Sequence, residues 1–332
     1  MTRNKLPDSA KKKNAIVLYR FPNKKKINVV SGEAMAVSDL SAIDNGFIIS
    51  SFDGKKQYVI LDEKGNIDLQ LLPSGKEEST KEQDFKQYVE KIKRGIKLNK
   101  FSKVVAARTY TITKPKDFHP ITFFEKALHY TQAFVCLVFI ENELCWCCAS
   151  PELLLQTTKA EIETYSLAGT LKDTIDFSDK EKEEQAIVTR SIADTLASFK
   201  ELKKVSFKTK VMANGTLNHL LTHIQAKKKR KLHWHKMALA LHPTPAVGGF
   251  PKQPAIDFIK ENEHFDRSFY SGFLGEIKNG NAKLYVNLRC MEATRSQLIF
   301  YAGCGITEGS DPKKEWMETN HKIDILKSLL VR

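Results

Sequence analysis

Two carboxylates and one ammonium group are spaced to share one face of a C-terminal helix. Glu315, Glu318 and Lys322 follow an i, i+3, i+7 pattern. Asp311 as N-cap and Pro312 at the first helical position mark where the helix begins. Such a carboxylate pair, preceded by glycines whose backbone N–H groups can face a ligand, suits Mg²⁺ and an anionic organic molecule. A solvated charged face is the alternative interpretation of the pattern taken alone.

Five further segments carry candidate chemistry. One has a lysine in an apolar strand, K-V-V-A-A-R, and another has a glutamate directly after Ser-Pro. A third is L-A-G-T, a fourth is the proline- and glycine-rich L-H-P-T-P-A-V-G-G, and the fifth runs from an arginine through a tyrosine to two glycines. These segments are residues 102–108, 149–154, 167–170, 241–249 and 267–275.

In this order the segments resemble the chorismate-utilising enzymes. That family includes the large subunits of anthranilate synthase, aminodeoxychorismate synthases, salicylate synthases and isochorismate synthases, and the resemblance covers residues 101–332. Lys103 matches the lysine with which isochorismate and salicylate synthases activate water, where anthranilate synthases carry a non-basic residue. Ala168 stands where aminodeoxychorismate synthases have a lysine, and residues 241–249 look most like isochorismate synthases. The resemblance therefore implies an isochorismate synthase, with a salicylate synthase as the nearest alternative.

The implied reaction adds water to chorismate at C2 while a hydroxyl leaves from C4. Lys103 would be the base, which requires a pKa lowered towards neutrality by desolvation and nearby cations. Glu152 resembles the general acid, which requires a raised pKa. Without the other motifs, Lys103 reads as a lysine at a strand end and Glu152 as a surface residue.

The resemblance also implies a Mg²⁺ cofactor. Glu184 and Glu318 match the two glutamates that would hold the ion against the ring carboxylate of chorismate. Glu181 and Glu315, each one helical turn earlier, look like supporting or water-bridged ligands.

The remaining matches concern substrate binding. Lys322 resembles the lysine that neutralises the ring carboxylate, and Arg289 the arginine that grips the enolpyruvyl carboxylate. Tyr270 would contact the enolpyruvyl arm, and His242 would shape the site. The anion cradle would be completed by small residues of L-A-G-T and of the glycine segment, namely Gly169, Thr170, Gly303 and Gly305.

Two single positions depart from the family pattern, and residues 171–173 lack its common arginine-rich continuation. Gln185 stands where a histidine commonly follows the metal glutamate, which leaves the ligand itself intact but alters its support. Ser166 replaces the usual proline before L-A-G-T.

Composition limits the partners. Among 332 residues, 42% are hydrophobic and 28% charged, as in ordinary globular proteins, and no apolar run is long enough to span a bilayer. The N-terminus lacks the apolar stretch of a signal peptide, so we expect a cytoplasmic protein with six reduced, buried cysteines and no membrane contact. No glutamine amidotransferase segment is present, so we expect no glutaminase subunit, and the resemblance favours a monomer.

The net charge of +14 is the unusual feature of the composition. Its clusters, at residues 11–13, 24–26 and 227–230, have no interleaved aromatic residues and no nucleic-acid-binding module. A basic field of this kind can steer small dianions, and we expect no nucleic-acid partner. A non-catalytic basic binding protein on the same scaffold is the remote alternative.

Alternation and turn signals predict an α+β fold with large antiparallel β-sheets flanked by helices. Residues 1–80 read as a β-rich N-terminal part, and residues 81–332 as the chorismate-binding catalytic region, in two intimately packed α/β subdomains. Asn279-Gly280 predicts a type I′ hairpin, and a third strand at residues 297–302 is expected to extend it into a meander. We expect menaquinone synthesis as the pathway, with siderophore synthesis as the alternative.

Overall fold

The computed structural model describes residues 13–63, 67–172, 177, 179–214 and 217–331. Within these ranges, the helices are α1 (Glu82–Lys97), α2 (Pro120–Ala127), α3 (Asp179–Ala197), α4 (Trp234–Leu241), α5 (Lys252–Asn262) and α6 (Pro312–Lys327). A short 3₁₀ helix, Ser328–Leu330, follows α6. No helix of the described part is both long enough and apolar enough to cross a membrane.

The strands alternate with these helices irregularly along the chain. The first eight are β1 (Lys13–Arg20), β2 (Asn28–Ala36), β3 (Gly46–Ser50), β4 (Gln57–Asp62), β5 (Lys103–Thr113), β6 (Phe134–Ile140), β7 (Leu144–Ser150) and β8 (Leu153–Thr157). The other eight are β9 (Glu161–Lys172), β10 (Leu202–Asn214), β11 (Leu217–Lys228), β12 (Gly249–Phe250), β13 (Phe273–Lys278), β14 (Asn281–Val286), β15 (Cys290–Ala293) and β16 (Gln297–Ile306).

All sixteen strands form one sheet, in the order β10-β11-β9-β8-β14-β13-β3-β4-β2-β1-β6-β7-β15-β16-β5-β12. Every recorded pairing is antiparallel, as alternation predicts, so the predicted α+β class is confirmed. Strands β1 to β4 lie in the middle, because β3 pairs with β13 and β1 pairs with β6. The N-terminal strands thus join two halves of the sheet. The proposed division at residue 80 stays a prediction.

One predicted strand pairing is wrong. Asn279 and Gly280 both have positive φ, as a type I′ turn requires, and β13 and β14 form the predicted hairpin. However, β14 pairs next with β8, whereas β16 pairs with β15 and β5. A four-residue strand, β15, intervenes, so the polypeptide changes its position in the sheet instead of continuing a meander.

The C-terminal helix is fixed at its start and along its buried face. The Asp311 side chain accepts a hydrogen bond from the Lys314 N–H at 2.8 Å, which confirms the predicted N-cap. The buried Arg108 guanidinium lies 3.8 Å from the centre of the Trp316 ring, and its Nε donates to Thr319 Oγ1 at 2.7 Å. Strand β5 thereby sets the position of the helix that carries Glu318 and Lys322.

The cysteines behave as predicted. All six are buried and none is in a disulfide. Burial raises the pKa of the Cys136 and Cys290 thiols well above the ordinary value, so they pack as small apolar groups.

Candidate active site

A pocket at the glycine end of β16, called the β16 pocket, gathers most of the candidate residues. Its walls come from β5, β9, β16, α3, α6 and the loops before β8, β12, β13 and β15. The lining includes Glu152, Glu184, Tyr270, Arg289, Gly303, Gly305, Glu318 and Lys322. Residues far apart in sequence therefore meet, as the ordered motifs implied.

Lys103 lies directly behind this lining and is fully buried. Its Nζ is 2.8 Å from Glu184 Oε1, so the candidate base touches a candidate metal ligand. Gly305 makes this contact feasible: a Cβ there would lie 2.2 Å from Glu184 Oε1 and 2.7 Å from Lys103 Cε. The space that Gly305 leaves empty is thus filled by the Lys103–Glu184 pair.

A second lysine–glutamate pair lies on α6. Lys322 Nζ is 2.6 Å from Glu318 Oε1, one helical turn away, and it also donates to the Gly303 carbonyl at 2.8 Å. This second contact ties α6 to β16. The ammonium group is only partly exposed, which suits a role against a substrate carboxylate.

Glu152 differs from the other glutamates of the pocket. It is buried, and its Oε1 has no hydrogen-bond partner among the described residues. Burial raises the pKa of Glu152 to about 8, an effect that Lys103, Thr244 and Lys322 oppose. The carboxyl is therefore mainly protonated at neutral pH, as a general acid must be.

Arg289 and Tyr270 also line the pocket. Arg289 has a left-handed φ of 48°, a costly conformation for a side-chain-bearing residue, in the turn between β14 and β15. Burial lowers its pKa to about 10, and Glu318 acts against that shift, so the guanidinium stays charged. Tyr270 stacks on Tyr301 with ring centres 5.8 Å apart. A Cβ at Gly303 would lie 2.7 Å from the Tyr270 hydroxyl, so the absence of a side chain at this position leaves room for the tyrosine.

The four candidate metal ligands fall into two groups. Glu184 and Glu318 line the β16 pocket, whereas the described lining does not include Glu181 or Glu315. Glu315 is buried beside Cys304. Burial raises the pKa of the Cys304 thiol, and the nearby Glu315 carboxylate raises it further. Within the described residues, no three acidic, histidine or cysteine side chains are grouped closely enough to bind a metal by themselves. Two carboxylates on one pocket still fit Mg²⁺, which keeps several of its waters.

His242 lies behind the pocket wall. Its Nε2 is 3.0 Å from the Phe52 carbonyl, and its ring meets Phe52 and Phe273 edge to face. Burial lowers its pKa to about 4, so the ring is neutral. The residues of this segment that reach the site are Thr244, beside Glu152, and Ala246, in the pocket lining.

Gly169 and Thr170 belong to β9, whose residue Leu167 lines the pocket. The side chains at 168–170 lie outside the described part of the chain, so their predicted part in the anion cradle stays a prediction.

The two single positions that depart from the family pattern, Gln185 and Ser166, are hydrogen-bonded to each other. Gln185 is buried, and its Nε2 donates to the Ser166 carbonyl at 3.0 Å, to Ser166 Oγ at 3.2 Å and to Thr222 Oγ1 at 2.9 Å. Ser166 Oγ also lies 2.9 Å from Thr189 Oγ1. This network fastens α3, next to Glu184, to β9 and β11. The sequence marks both positions as unusual but does not show that they are partners.

Comparison with known proteins places the chain in a family. A family model described as chorismate binding enzyme matches residues 48–331. A salicylate biosynthesis isochorismate synthase of Pseudomonas aeruginosa is 31% identical over 252 residues, which cover 71% of this chain and 52% of that protein. The isochorismate synthase EntC of Escherichia coli is 32% identical over 191 residues, or 54% of this chain and 49% of that protein. The chain thus spans about half the length of these two curated relatives.

Structural comparison agrees on the fold. The solved structure of MenF, the menaquinone-specific isochorismate synthase from Escherichia coli, superposes with a TM-score of 0.83 at 20% identity. The superposition covers 95% of this chain and 88% of the other. With most of its length matched by the family model and the predicted motifs gathered in one pocket, the chain belongs to the chorismate binding enzymes.

Proposed function

We propose that the chain is an isochorismate synthase, which converts chorismate reversibly to isochorismate with Mg²⁺ as cofactor. The observation that carries the proposal is the arrangement of Lys103 and Glu152. One buried lysine and one buried, protonated glutamic acid lie around a pocket that also holds a guanidinium and an ammonium.

Each group has a defined task in this reaction. Lys103 takes a proton from the water that adds at C2, and Glu152 gives its proton to the hydroxyl that leaves from C4. Arg289 and Lys322 bind the two carboxylates of chorismate, and their partial burial strengthens these ion pairs. Addition of water needs no ammonia, so the proposed reaction needs no glutaminase partner.

Glu184 and Glu318 would hold the Mg²⁺ ion, with Glu181 and Glu315 in support. The ion would neutralise the ring carboxylate and help to orient the substrate. Each of these two glutamates contacts a lysine in the structure, Glu184 with Lys103 and Glu318 with Lys322.

Product analysis tests the proposal. Purified protein incubated with chorismate and Mg²⁺ should yield isochorismate, and isochorismate should yield chorismate in return. Activity should disappear in excess chelator and in Glu184→Ala and Glu318→Ala, since each substitution removes one of the two pocket carboxylates that would hold the ion. Salicylate and pyruvate as main products would identify a salicylate synthase, and absence of turnover would favour the binding scaffold.

We further propose that the product serves menaquinone synthesis in the cytoplasm. Complementation separates the pathways: the gene should restore growth of a bacterium whose own menaquinone-specific isochorismate synthase is deleted. Rescue of only a siderophore-deficient strain would contradict this assignment.

A further inference from the structure

A second cavity, called the basic cleft, lies outside the β16 pocket. It is formed by the β2–β3 loop, the β8–β9 turn, the stretch from the end of β11 to the start of α4, and the β13–β14 turn. Its volume is about 700 Å³, within the range of roughly 300–1,000 Å³ typical of small-molecule sites. None of the described residues that line it also lines the β16 pocket, so the proposed reaction leaves this cleft unused.

Positive charge dominates the lining. Among the described residues, five lysines and arginines border the cleft against one carboxylate, Asp44; they are Lys159, Lys228, Lys229, Arg230 and Lys231. Arg230 lies 3.3 Å from Glu201, but Lys159, Lys229 and Lys231 form no ion pair with a carboxylate of the described residues. The cluster is therefore only partly neutralised by the protein itself, which leaves a focused positive potential.

The surroundings of these cations favour an anion further. Burial lowers the pKa of Lys228, whose Nζ donates to the Thr158 carbonyl at 2.7 Å. A partly desolvated ammonium gains more from an opposite charge than one in bulk water. Helix α4 also begins in the lining, and its N-cap His233 forms no side-chain cap, so the positive end of the helix adds to the field.

The accessible rings of the described lining are two histidines, His233 and His235, whose centres lie 5.6 Å apart. Trp234, the one tryptophan among the described lining residues, is buried, and its Nε1 donates to the Ile43 carbonyl at 3.0 Å. Five cationic side chains therefore outnumber the accessible rings, which favours recognition by charge over the successive stacking that single-stranded nucleic acid requires. Lysine and arginine bind phosphate oxygens through charge-assisted hydrogen bonds, and the cations here come from two chain segments.

We propose that the basic cleft binds a small anion that carries two or more phosphate groups. The cleft and its charges alone support this site, which does not depend on the function proposed for the β16 pocket.

Isothermal titration with inorganic tripolyphosphate tests the site, in Mg²⁺-free buffer at an ionic strength of about 0.15 M. We expect saturable binding to the full chain. The triple substitution Lys229→Gln, Arg230→Gln and Lys231→Gln should weaken binding by roughly tenfold or more, since it removes three donors to phosphate. Lys159→Gln, in the β8–β9 turn, should also weaken binding. Because it is a single substitution in a different segment, it shows whether the loss in the triple variant arises from misfolding.

A matched control is offered by Lys24, Lys25 and Lys26, which are exposed and outside the cleft. Their triple substitution by glutamine removes the same charge and should change the dissociation constant by less than about twofold at this ionic strength. Equal losses in both triple variants, or no saturable binding to the native chain, would overturn the proposal.

Two further outcomes locate the ligand. Arg289→Ala should retain tripolyphosphate binding, whereas loss of binding in that variant would place the anion in the β16 pocket and refute the second site. A single-stranded oligonucleotide that binds more tightly than tripolyphosphate, and is lost in the Lys229–Lys231 triple variant, would replace the small-anion assignment with nucleic acid.

Discussion

The wall of the β16 pocket that carries Glu152 differs from the wall that carries Glu184 and Glu318. Glu152 is sealed from solvent, and one of its oxygens has no hydrogen-bond partner among the described residues. A lysine nitrogen lies 2.8 Å from the Glu184 carboxylate, and another lies 2.6 Å from the Glu318 carboxylate. Burial thus holds the Glu152 carboxyl in its neutral form, whereas Glu184 and Glu318 are each paired with a lysine side chain.

The largest expected effect comes from removing proton transfer at the two buried groups. Glu152→Gln and Lys103→Ala should each lower kcat by roughly 10²–10⁴-fold, since general acid and base act mainly in the transition state. The KM for chorismate should change little. Steady-state kinetics, with Glu161→Gln on the surface as the control, would check this, and a loss confined to KM would contradict the assigned roles.

Gly305→Ala should disrupt the Glu184 wall without touching Glu152. The added Cβ would lie 2.2 Å from Glu184 Oε1, so the Lys103–Glu184 pair must shift. Misplacement of this order can reduce turnover on the order of 10²-fold. Gly309→Ala is the matched control, because no atom of the described residues lies within 4 Å of a Cβ built there. Equal activity of the two variants would show that the contact across Gly305 is unimportant.

Carboxylates that would bind Mg²⁺ directly can be distinguished from supporting carboxylates by substitution and added Mg²⁺. Glu181→Ala and Glu315→Ala should lose roughly 10–100-fold in activity or Mg²⁺ affinity, as expected for side chains that support a metal site. Added Mg²⁺ should partly restore both variants but not Glu184→Ala. A Mg²⁺ titration of activity measures this, and complete inactivity of Glu181→Ala at all concentrations would place that residue among the direct ligands.

The smallest expected effect is the dependence of activity and stability on pH, which reports the protonation of Glu152. Glu152 must be protonated to act as the acid, so on the alkaline side activity should fall as pH rises through its pKa of about 8. The stability of the fold should also fall as pH rises. The pKa of Glu152 in the folded protein exceeds its unfolded value of about 4.3, so the stabilisation present at low pH is lost between these two pKa values.

The unfolding free energy of Glu152→Gln should therefore vary less with pH than that of the native chain. Chemical denaturation of both proteins from pH 5 to pH 9 measures the difference. Parallel curves would show that Glu152 ionises normally in the folded protein.

Local patterns predicted the elements better than their pairing. The start of α6 depends on Asp311 and Pro312, and the β13–β14 turn depends on Asn279 and Gly280, so neighbouring residues suffice. The position of β16 between β15 and β5 is decided by contacts far apart in sequence. No alternation pattern contains that information.

The candidate site shows the same limit. The resemblance to a family brought Glu184 and Glu318 together, although α3 and α6 are distant in the chain. It could not show that Lys103 reaches Glu184 across Gly305, or that Gln185 donates to Ser166. Those contacts depend on backbone approach between strands and helices, which spacing along the sequence does not encode.

The central position of the N-terminal strands has a consequence for biosynthesis. Strand β3 leaves the ribosome early, yet its residue Ser50 must pair with Phe273, near the end of synthesis. Chains emerge at roughly 5–20 residues per second, so an apolar strand edge stays unpaired for many seconds. Pairings of such long sequence separation also slow folding. The nascent chain should therefore depend on chaperones more than a protein whose early strands pair with one another.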